Sequence, residues 1–289
     1  MRIDNVDMNH SAIPVTGQVD GATASASLLG PDDPDPVAVR AAQASPRILV
    51  VCDHASNRVP TALGSMGLPA ARLAEHIAWD SGALGVARGI AETLGATLVF
   101  GRYSRLTADL NRAPMDVSAV PAISDGVLIP ANLGISAQQR AARMAALHDP
   151  YHAFIGEFVA TSLRDGVRPV MISVHSFTPR VNRIDRPWHA GVLWDKDSRI
   201  ALPLLEGLRR SGVVVGDNEP YSGRHTADYT LDRHAEGNGL AHAALELRQD
   251  LISHAGTQHI WAERLVSVLR PILEDESLYT VPAADDVEP

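Results

Sequence analysis

Two short apolar runs constrain the fold more than any other feature of the chain. Arg47-Ile-Leu-Val-Val-Cys52 and Val170-Met-Ile-Ser-Val174 are continuous rather than alternating, the pattern of strands buried on both faces of a parallel or mixed sheet. Each run stops abruptly at polar residues. Asp53, His54, Ser56 and Asn57 follow the first, and His175 follows the second. Further strands are expected at residues 97–100, 191–194, 213–215 and 243–248. Between them lie helical patterns at 68–94, 136–163, 198–210 and 256–273. Gly82, Gly85 and Gly89 weaken the first as one unbroken helix. The second opens at Ser136 with Gln139 three residues on and runs toward Leu163, with Pro150 the point at which it could break. Strands alternating with helices predict an α/β layered sheet, and no internal repeat is visible.

The 289 residues, 45% hydrophobic and 20% charged, suffice for one large α/β domain. Residues 1–45, rich in Ser, Ala, Gly, Asp and Pro, are expected to form a mobile or loosely draped arm, 46–276 a single domain, and 277–289 a frayed acidic tail. A formal net charge of −9 argues against a nucleic-acid partner. Cys52 is the single cysteine, which excludes an internal disulfide and a cysteine-rich zinc module. No apolar run approaches the roughly 18 residues of a membrane helix, and the first residues lack the order of a secretory signal. Neither a membrane partner nor export is expected, and cytoplasmic residence is the default. Basic charge is almost all arginine, with Lys196 the sole lysine, which favours guanidinium recognition of carboxylates wherever arginines cluster.

In open α/β sheets active sites form beyond the carboxyl ends of the strands. His54 and His175 both fall there, either as ligands of a zinc ion or as structural hydrogen-bonding groups. Asp80, within a mostly apolar stretch, caps a helix or faces solvent, a cation or a hydrogen-bond donor. In Ser104-Arg105-Leu-Thr-Ala-Asp109-Leu-Asn111-Arg112, residues 109 and 111 would share one face of an extended segment. The arginines either grip a substrate carboxylate or pair with Asp109. Glu246 stands between Leu245 and Leu247, which point the other way. It is a general base near a metal-activated water or the partner of Arg248. His225 and His234, flanking Tyr229, read as solvent-facing loop residues.

Six segments in order carry a resemblance: Cys52-Asp-His54-Ala-Ser-Asn57-Arg-Val-Pro60, Trp79-Asp80-Ser-Gly82, Ser104-Arg105 through Asp109-Leu-Asn111-Arg112, Ser173-Val-His175-Ser-Phe177, Asn218-Glu-Pro-Tyr221-Ser-Gly223 and Leu245-Glu246-Leu-Arg248-Gln-Asp250. Together they resemble the N-formylglutamate amidohydrolase family over residues 47–275. That family is similar to zinc-dependent exopeptidases and to the aspartoacylase and succinylglutamate desuccinylase group. The resemblance implies a three-layer α/β/α fold with a mixed, mostly parallel sheet, of the phosphorylase/hydrolase-like, zinc-dependent exopeptidase type, and one catalytic divalent ion. It implies that His54 and His175 bind the metal, that Asn111 and Arg112 clamp a substrate carboxylate, that Arg105 contacts an oxyanion or the substrate, and that Glu246 is the catalytic base. The wider exopeptidase pattern has a glutamate where this chain has Asn57, a poor zinc ligand. Asp80 is therefore expected as the third ligand, and Asn57 as a substrate contact or a group behind the ligands.

The function expected on this basis is hydrolysis of an N-formyl or other N-acyl acidic amino acid, such as N-formylglutamate, at a zinc site. The alternatives are a zinc carboxypeptidase or deacylase of different acyl specificity, and a non-catalytic carboxylate-binding protein on the same fold.

Overall fold

A computed structural model describes residues 27–42, 45–224 and 228–280. Its centre is a seven-stranded sheet in the order β1-β3-β2-β6-β11-β9-β10. Those strands are β1 (Val37–Arg40), β2 (Ser45–Cys52), β3 (Ala96–Gly101), β6 (Val170–Phe177), β9 (Ala190–Leu193), β10 (Val215–Asp217) and β11 (His242–Arg248), and two small hairpins pair β4 (Ile123–Ser124) with β5 (Val127–Leu128) and β7 (Arg180–Val181) with β8 (Ile184–Asp185). The four central strands β3, β2, β6 and β11 are mutually parallel, while β1 and β9 join them antiparallel. The sheet is thus mixed and mostly parallel, as expected. The parallel arrangement brings the carboxyl ends of β2, β6 and β11 to one edge.

Helices cover both faces, giving three layers. One side carries α2 (Ala83–Leu94), α5 (Ala201–Arg210) and α7 (Ala255–Leu273), packed on Ile48, Val50, Val174, Leu245 and Leu247. The other carries α4 (Asp149–Arg164) and α6 (Tyr229–His234), packed on Leu49, Val51, Met171 and Ala244. Side chains alternate across a strand. His175 and Glu246 therefore share the α4 face with Met171 and Ala244, and parity alone keeps them out of the thicker apolar layer.

The helical pattern expected at 68–94 is divided into α1 (Ala70–Leu73) and α2, with turns between. The glycines have a packing reason: a Cβ at Gly89 would lie 2.5 Å from Ala262 Cβ, and one at Gly85 would meet the Gln258 side chain. Their absence lets α2 and α7 close on each other. At 136–163 the capping box of Ser136 and Gln139 opens α3 (Ala137–Arg143). The chain then passes through a π-helical turn, Met144–His148, into α4, which has Pro150 in its first turn. The helix carries on through Pro150, its hydrogen-bond ladder irregular at that π-helical turn rather than broken.

Two expected boundaries are corrected. The stretch read as an arm holds an edge strand within its described part, since β1 pairs with β3 and the Tyr103 hydroxyl donates to Pro34 O at 2.7 Å. The β-branched Val37 and Val39 allow a short edge strand that composition masks. The tail expected from 277 includes a 3-10 turn, Glu276–Tyr279, with Leu278 buried, and Arg47 lies 3.6 Å over the Tyr279 ring. Residues 1–26 and 281–289 lie outside the described residues. The strand expected at 213–215 falls at Val215–Asp217, since Val213 closes the turn after α5.

Gly191 links scaffold and site, because it pairs with Glu246 and an added Cβ would lie 2.0 Å from Glu219 O. Gly191→Ala is expected to destabilise the fold by roughly 1–3 kcal/mol through forced backbone movement. Urea unfolding checks this, and an unchanged midpoint would mean that the segment at Glu219 yields freely.

Candidate active site

The residues after β2 turn sharply inward, and Asp80 N donates to His54 O at 2.9 Å, tying that turn to the start of α2. The Asp80 side chain is buried among cationic and polar groups. Its Oδ2 lies 3.0 Å from His175 Nδ1 and 3.4 Å from His54 Nδ1, and it accepts from Ser176 N at 3.3 Å. Its Oδ1 faces His76 Nδ1 at 3.3 Å and Arg105 Nη1 at 3.5 Å. Asp80 is therefore not a helix cap; Gly82, at φ 84°, occupies the N-cap of α2. The imidazoles of His54 and His175, distant in sequence, meet with ring centroids 5.2 Å apart.

Residues 102–112 form turns rather than a strand, which corrects the expected alternation of Asp109 and Asn111. Asn111 N donates to Asp109 Oδ1 at 2.9 Å, an Asx turn that sends both side chains inward. Arg105 grips Asp109 Oδ2 through Nε at 3.1 Å and Nη2 at 3.0 Å, while Asp109 Oδ1 lies 2.7 Å from His54 Nε2. Pairing of Asp109 with Arg105 and a cavity-facing position for the arginine thus hold together. Arg112 donates to Asn111 O at 2.9 Å, and Asn111 Oδ1 accepts from Thr230 N at 3.0 Å.

A cavity of about 250 Å³ is lined by His54, Asp80, Arg105, Asn111, Arg112, His175 and Glu246 among others. Of the side chains expected at the site, Asn57 is the exception. Its amide donates to Leu73 O at 2.9 Å, holding the loop before α2, and it does not line the cavity. The asparagine three residues after His54 thus spends its amide on a backbone carbonyl outside the cavity. Glu246 is the register neighbour of His175 on adjacent parallel strands, which places the two side by side on one face. Its Oε2 is buried with no hydrogen-bond partner among the described residues, and Arg248 pairs with Asp250 rather than with it.

Charge states follow from these contacts. Burial opposes a charge on His175, but the hydrogen bonds and charges of Asp53 and Asp80 outweigh it and push the imidazole well above its usual range. His54 is raised too, burial and Arg105 being outweighed by Asp109 and Asp80. Burial likewise opposes ionisation of Asp80, yet the imidazoles hold its carboxyl well below the usual range. Burial, with Asp80 and Asp228 adding to it, pushes Glu246 up to about 8.

The donor set suits a divalent cation. Ligand atoms of His54, Asp80 and His175 all lie within 4.8 Å of one another, and two imidazoles with one carboxylate are the donors zinc takes in hydrolytic sites. A second group, Asp53, His175 and Asp228, meets the same distance. Asp53 stands beside His54 in sequence with nothing to mark its role. Asp228, the N-cap of α6, could have been found from the Asp-Tyr-Thr-Leu start of that helix. The expectation of a solvent-facing His234 is corrected, because it is buried on α6, with its ring 5.2 Å from that of His152 and 13° from parallel. His225 lies outside the described residues.

Residues 46–253 match the model of the N-formylglutamate amidohydrolase family. The chain belongs to that family. A gene product of Agrobacterium tumefaciens of known crystal structure is 37% identical, with a TM-score of 0.81 over 86% of this chain and 100% of that one. The N-formylglutamate amidohydrolase of Ralstonia eutropha is 18% identical, with a TM-score of 0.62 over 83% of this chain and 98% of that one, a likeness of fold. No curated protein matches the chain. Membership in the family indicates an amidohydrolase of the N-formylglutamate type, acting on a small amino-acid derivative. Among the described residues, no helix is long and apolar enough to cross a membrane.

In chelator-treated protein, His54, His175 and Glu246 all bind protons more tightly folded than unfolded. Their stabilising protons are in place below the unfolded pKa values and are lost as pH rises through the folded ones. The unfolding midpoint is expected to fall as pH rises from the ordinary imidazole range through about 8, where Glu246 gives up its proton. Added zinc should raise it more at the upper end, because ligands bind deprotonated. Thermal scans with chelator and with zinc check both trends; a midpoint that rises with pH in chelator contradicts the assignment.

Proposed function

We propose that the protein is a zinc-dependent amidohydrolase that cleaves the amide of an N-formyl or other N-acyl acidic amino acid, such as N-formylglutamate. The observation that carries this reading is the convergence of His54 Nδ1 and His175 Nδ1 on Asp80 Oδ2, beside a Glu246 carboxylate with an unpartnered buried oxygen. His54, Asp80 and His175 would hold one divalent ion. When bound, that ion supplies Lewis acidity, polarising an amide carbonyl and acidifying water.

The remaining chemistry belongs to side chains. Glu246 is the base that takes the proton of the attacking water and returns it to the amide nitrogen, which is otherwise too basic to leave. Its raised pKa, about 8, suits both halves of that transfer near neutral pH. Arg105, fixed by its fork on Asp109, presents an oriented positive charge to the developing oxyanion without having to reorganise. Arg112 takes the substrate carboxylate and sets its distance from the scissile bond. Asn111 has its side-chain carbonyl committed to Thr230 N, so its NH₂ is the end that donates to the substrate. A cavity of about 250 Å³ suits a short acyl group on a single amino acid. Two arginines on its wall give an acidic protein a place for an anionic substrate.

Glu246→Gln is expected to keep about one zinc per chain and to lower kcat by about 100- to 10,000-fold, the usual worth of a positioned acid–base group. Metal analysis and steady-state release of glutamate from N-formylglutamate measure the two effects. Near-native turnover in the variant would remove Glu246 from the mechanism. N-formyl, N-acetyl and N-succinyl glutamate compared side by side identify the acyl group, and rejection of all three by a zinc-loaded protein would overturn the amidohydrolase assignment on acidic amino acids.

A further inference from the structure

We infer that Asp53 is a positioning residue for the metal site, accepting the Nε2–H of His175 so that this ring offers its Nδ1 to the cation. The inference rests on the reading that His54, Asp80 and His175 hold one divalent ion, and it assigns a task to a buried acid that the proposed chemistry does not use.

Each of the two imidazoles has a buried carboxylate behind it. His54 places Nδ1 toward Asp80 Oδ2 and Nε2 2.7 Å from Asp109 Oδ1. His175 places Nδ1 toward the same Asp80 oxygen, with Nε2 3.3 Å from Asp53 Oδ2 and 2.9 Å from Ser173 Oγ. A neutral imidazole carries one N–H and one lone pair, so a carboxylate that captures the hydrogen on Nε2 leaves Nδ1 as the ligand. Carboxylates behind metal-binding histidines fix tautomer and ring orientation in this manner. Asp53 is fully buried, and among the described residues its Oδ2 has no hydrogen bond that meets ordinary geometry; His175 Nε2, paired with Ser173 Oγ, is the cationic nitrogen beside it at 3.3 Å. Its Oδ1 is occupied, accepting from Thr230 Oγ1 at 3.0 Å.

The run continues across the site. Thr230 N donates to Asn111 Oδ1 at 3.0 Å, and Asn111 N donates to Asp109 Oδ1 at 2.9 Å, the oxygen that faces His54. The groups behind the two histidines are thus joined through the first turn of α6, so neither ring can swing without disturbing the other's support. The competing assignment makes Asp53, His175 and Asp228 a second cation site, since their ligand atoms also cluster. His175 would then present lone pairs on both nitrogens and give up its second ring proton, which is far costlier than a hydrogen bond.

The test is titration of Zn²⁺ into chelator-stripped protein against a fluorescent chelator, for the wild type, Asp53→Asn and Thr230→Val, with the metal-free unfolding midpoint of each. One ion per chain is expected throughout. The zinc dissociation constant should rise about 10- to 100-fold in Asp53→Asn, the usual effect of removing such a group. A smaller rise is expected in Thr230→Val, which keeps the carboxylate and loses only its anchor. Spectra of ¹⁵N-histidine in the zinc-loaded wild type should show His175 ligated at Nδ1 and protonated at Nε2. Wild-type zinc affinity in a folded Asp53→Asn, or ligation through Nε2, overturns the inference and leaves the metal site standing. Two ions per wild-type chain, the second lost in Asp53→Asn, would make Asp53 a ligand and overturn it also. A wild-type chain that takes up no zinc removes the underlying reading and the inference with it.

Discussion

Asp80 in the interior governs how the loops around the site can be arranged. A carboxylate taken out of water costs several kcal/mol unless cations and N–H groups accompany it. Here the compensation comes from two imidazoles, a guanidinium, His76 and the backbone N–H of Ser176. These partners arrive from the turn after β2, the end of β6 and the turns after β3, so one buried charge fastens three separate stretches of chain. Two of these partners, His54 and Arg105, are in turn held by Asp109, and Asp53 lies 3.3 Å from His175 Nε2. The site is therefore a network in which removing any member leaves a neighbour unpaired, the situation in which buried polar groups are most costly.

Much of this was legible in the sequence because strand ends are conspicuous. The apolar runs before His54 and His175 placed both histidines at carboxyl ends, and the alternation of Leu245, Glu246 and Leu247 put the acid on the opposite face from its neighbours. What was not legible depends on chain reversal. Asp109 and Asn111 face inward through an Asx turn, which mimics the alternation of a strand without being one. Asn57 sits at the spacing of a ligand but on a turn that points it at Leu73 O. Thr230 and Asp53 are 177 positions apart, and no local pattern announces such a pairing. Glycines read as helix weaknesses at 85 and 89 are contact points with α7, a tertiary reason that outweighs propensity.

The position of the site on one face of the sheet follows from how the two faces are covered. The layer of α2, α5 and α7 is continuous and apolar, with Val50, Val174 and Leu245 beneath it. On the other face α4 and α6 cover Leu49, Met171 and Ala244, and the sheet edge beyond them is left to polar loops. One register step in β6 or β11 would exchange His175 or Glu246 with an apolar neighbour. The strand pairing that builds the core thus also decides which residues line the cavity.

Behind residues 109–112 lies a trio of imidazoles that stay uncharged. His152 Nε2 is 2.8 Å from Leu110 O and its Nδ1 is 2.9 Å from His234 Nε2, while His148 Nε2 is 3.1 Å from Arg112 O. Burial carries His152 down to about 3 and His234 down to about 4. Their contribution to stability is whole above the ordinary imidazole range and is lost as pH falls through these values. Mild acid would therefore loosen the backbone that carries Asn111 and Arg112, so under the proposed function souring the medium should slacken the hold on an anionic substrate through a change that begins outside the cavity.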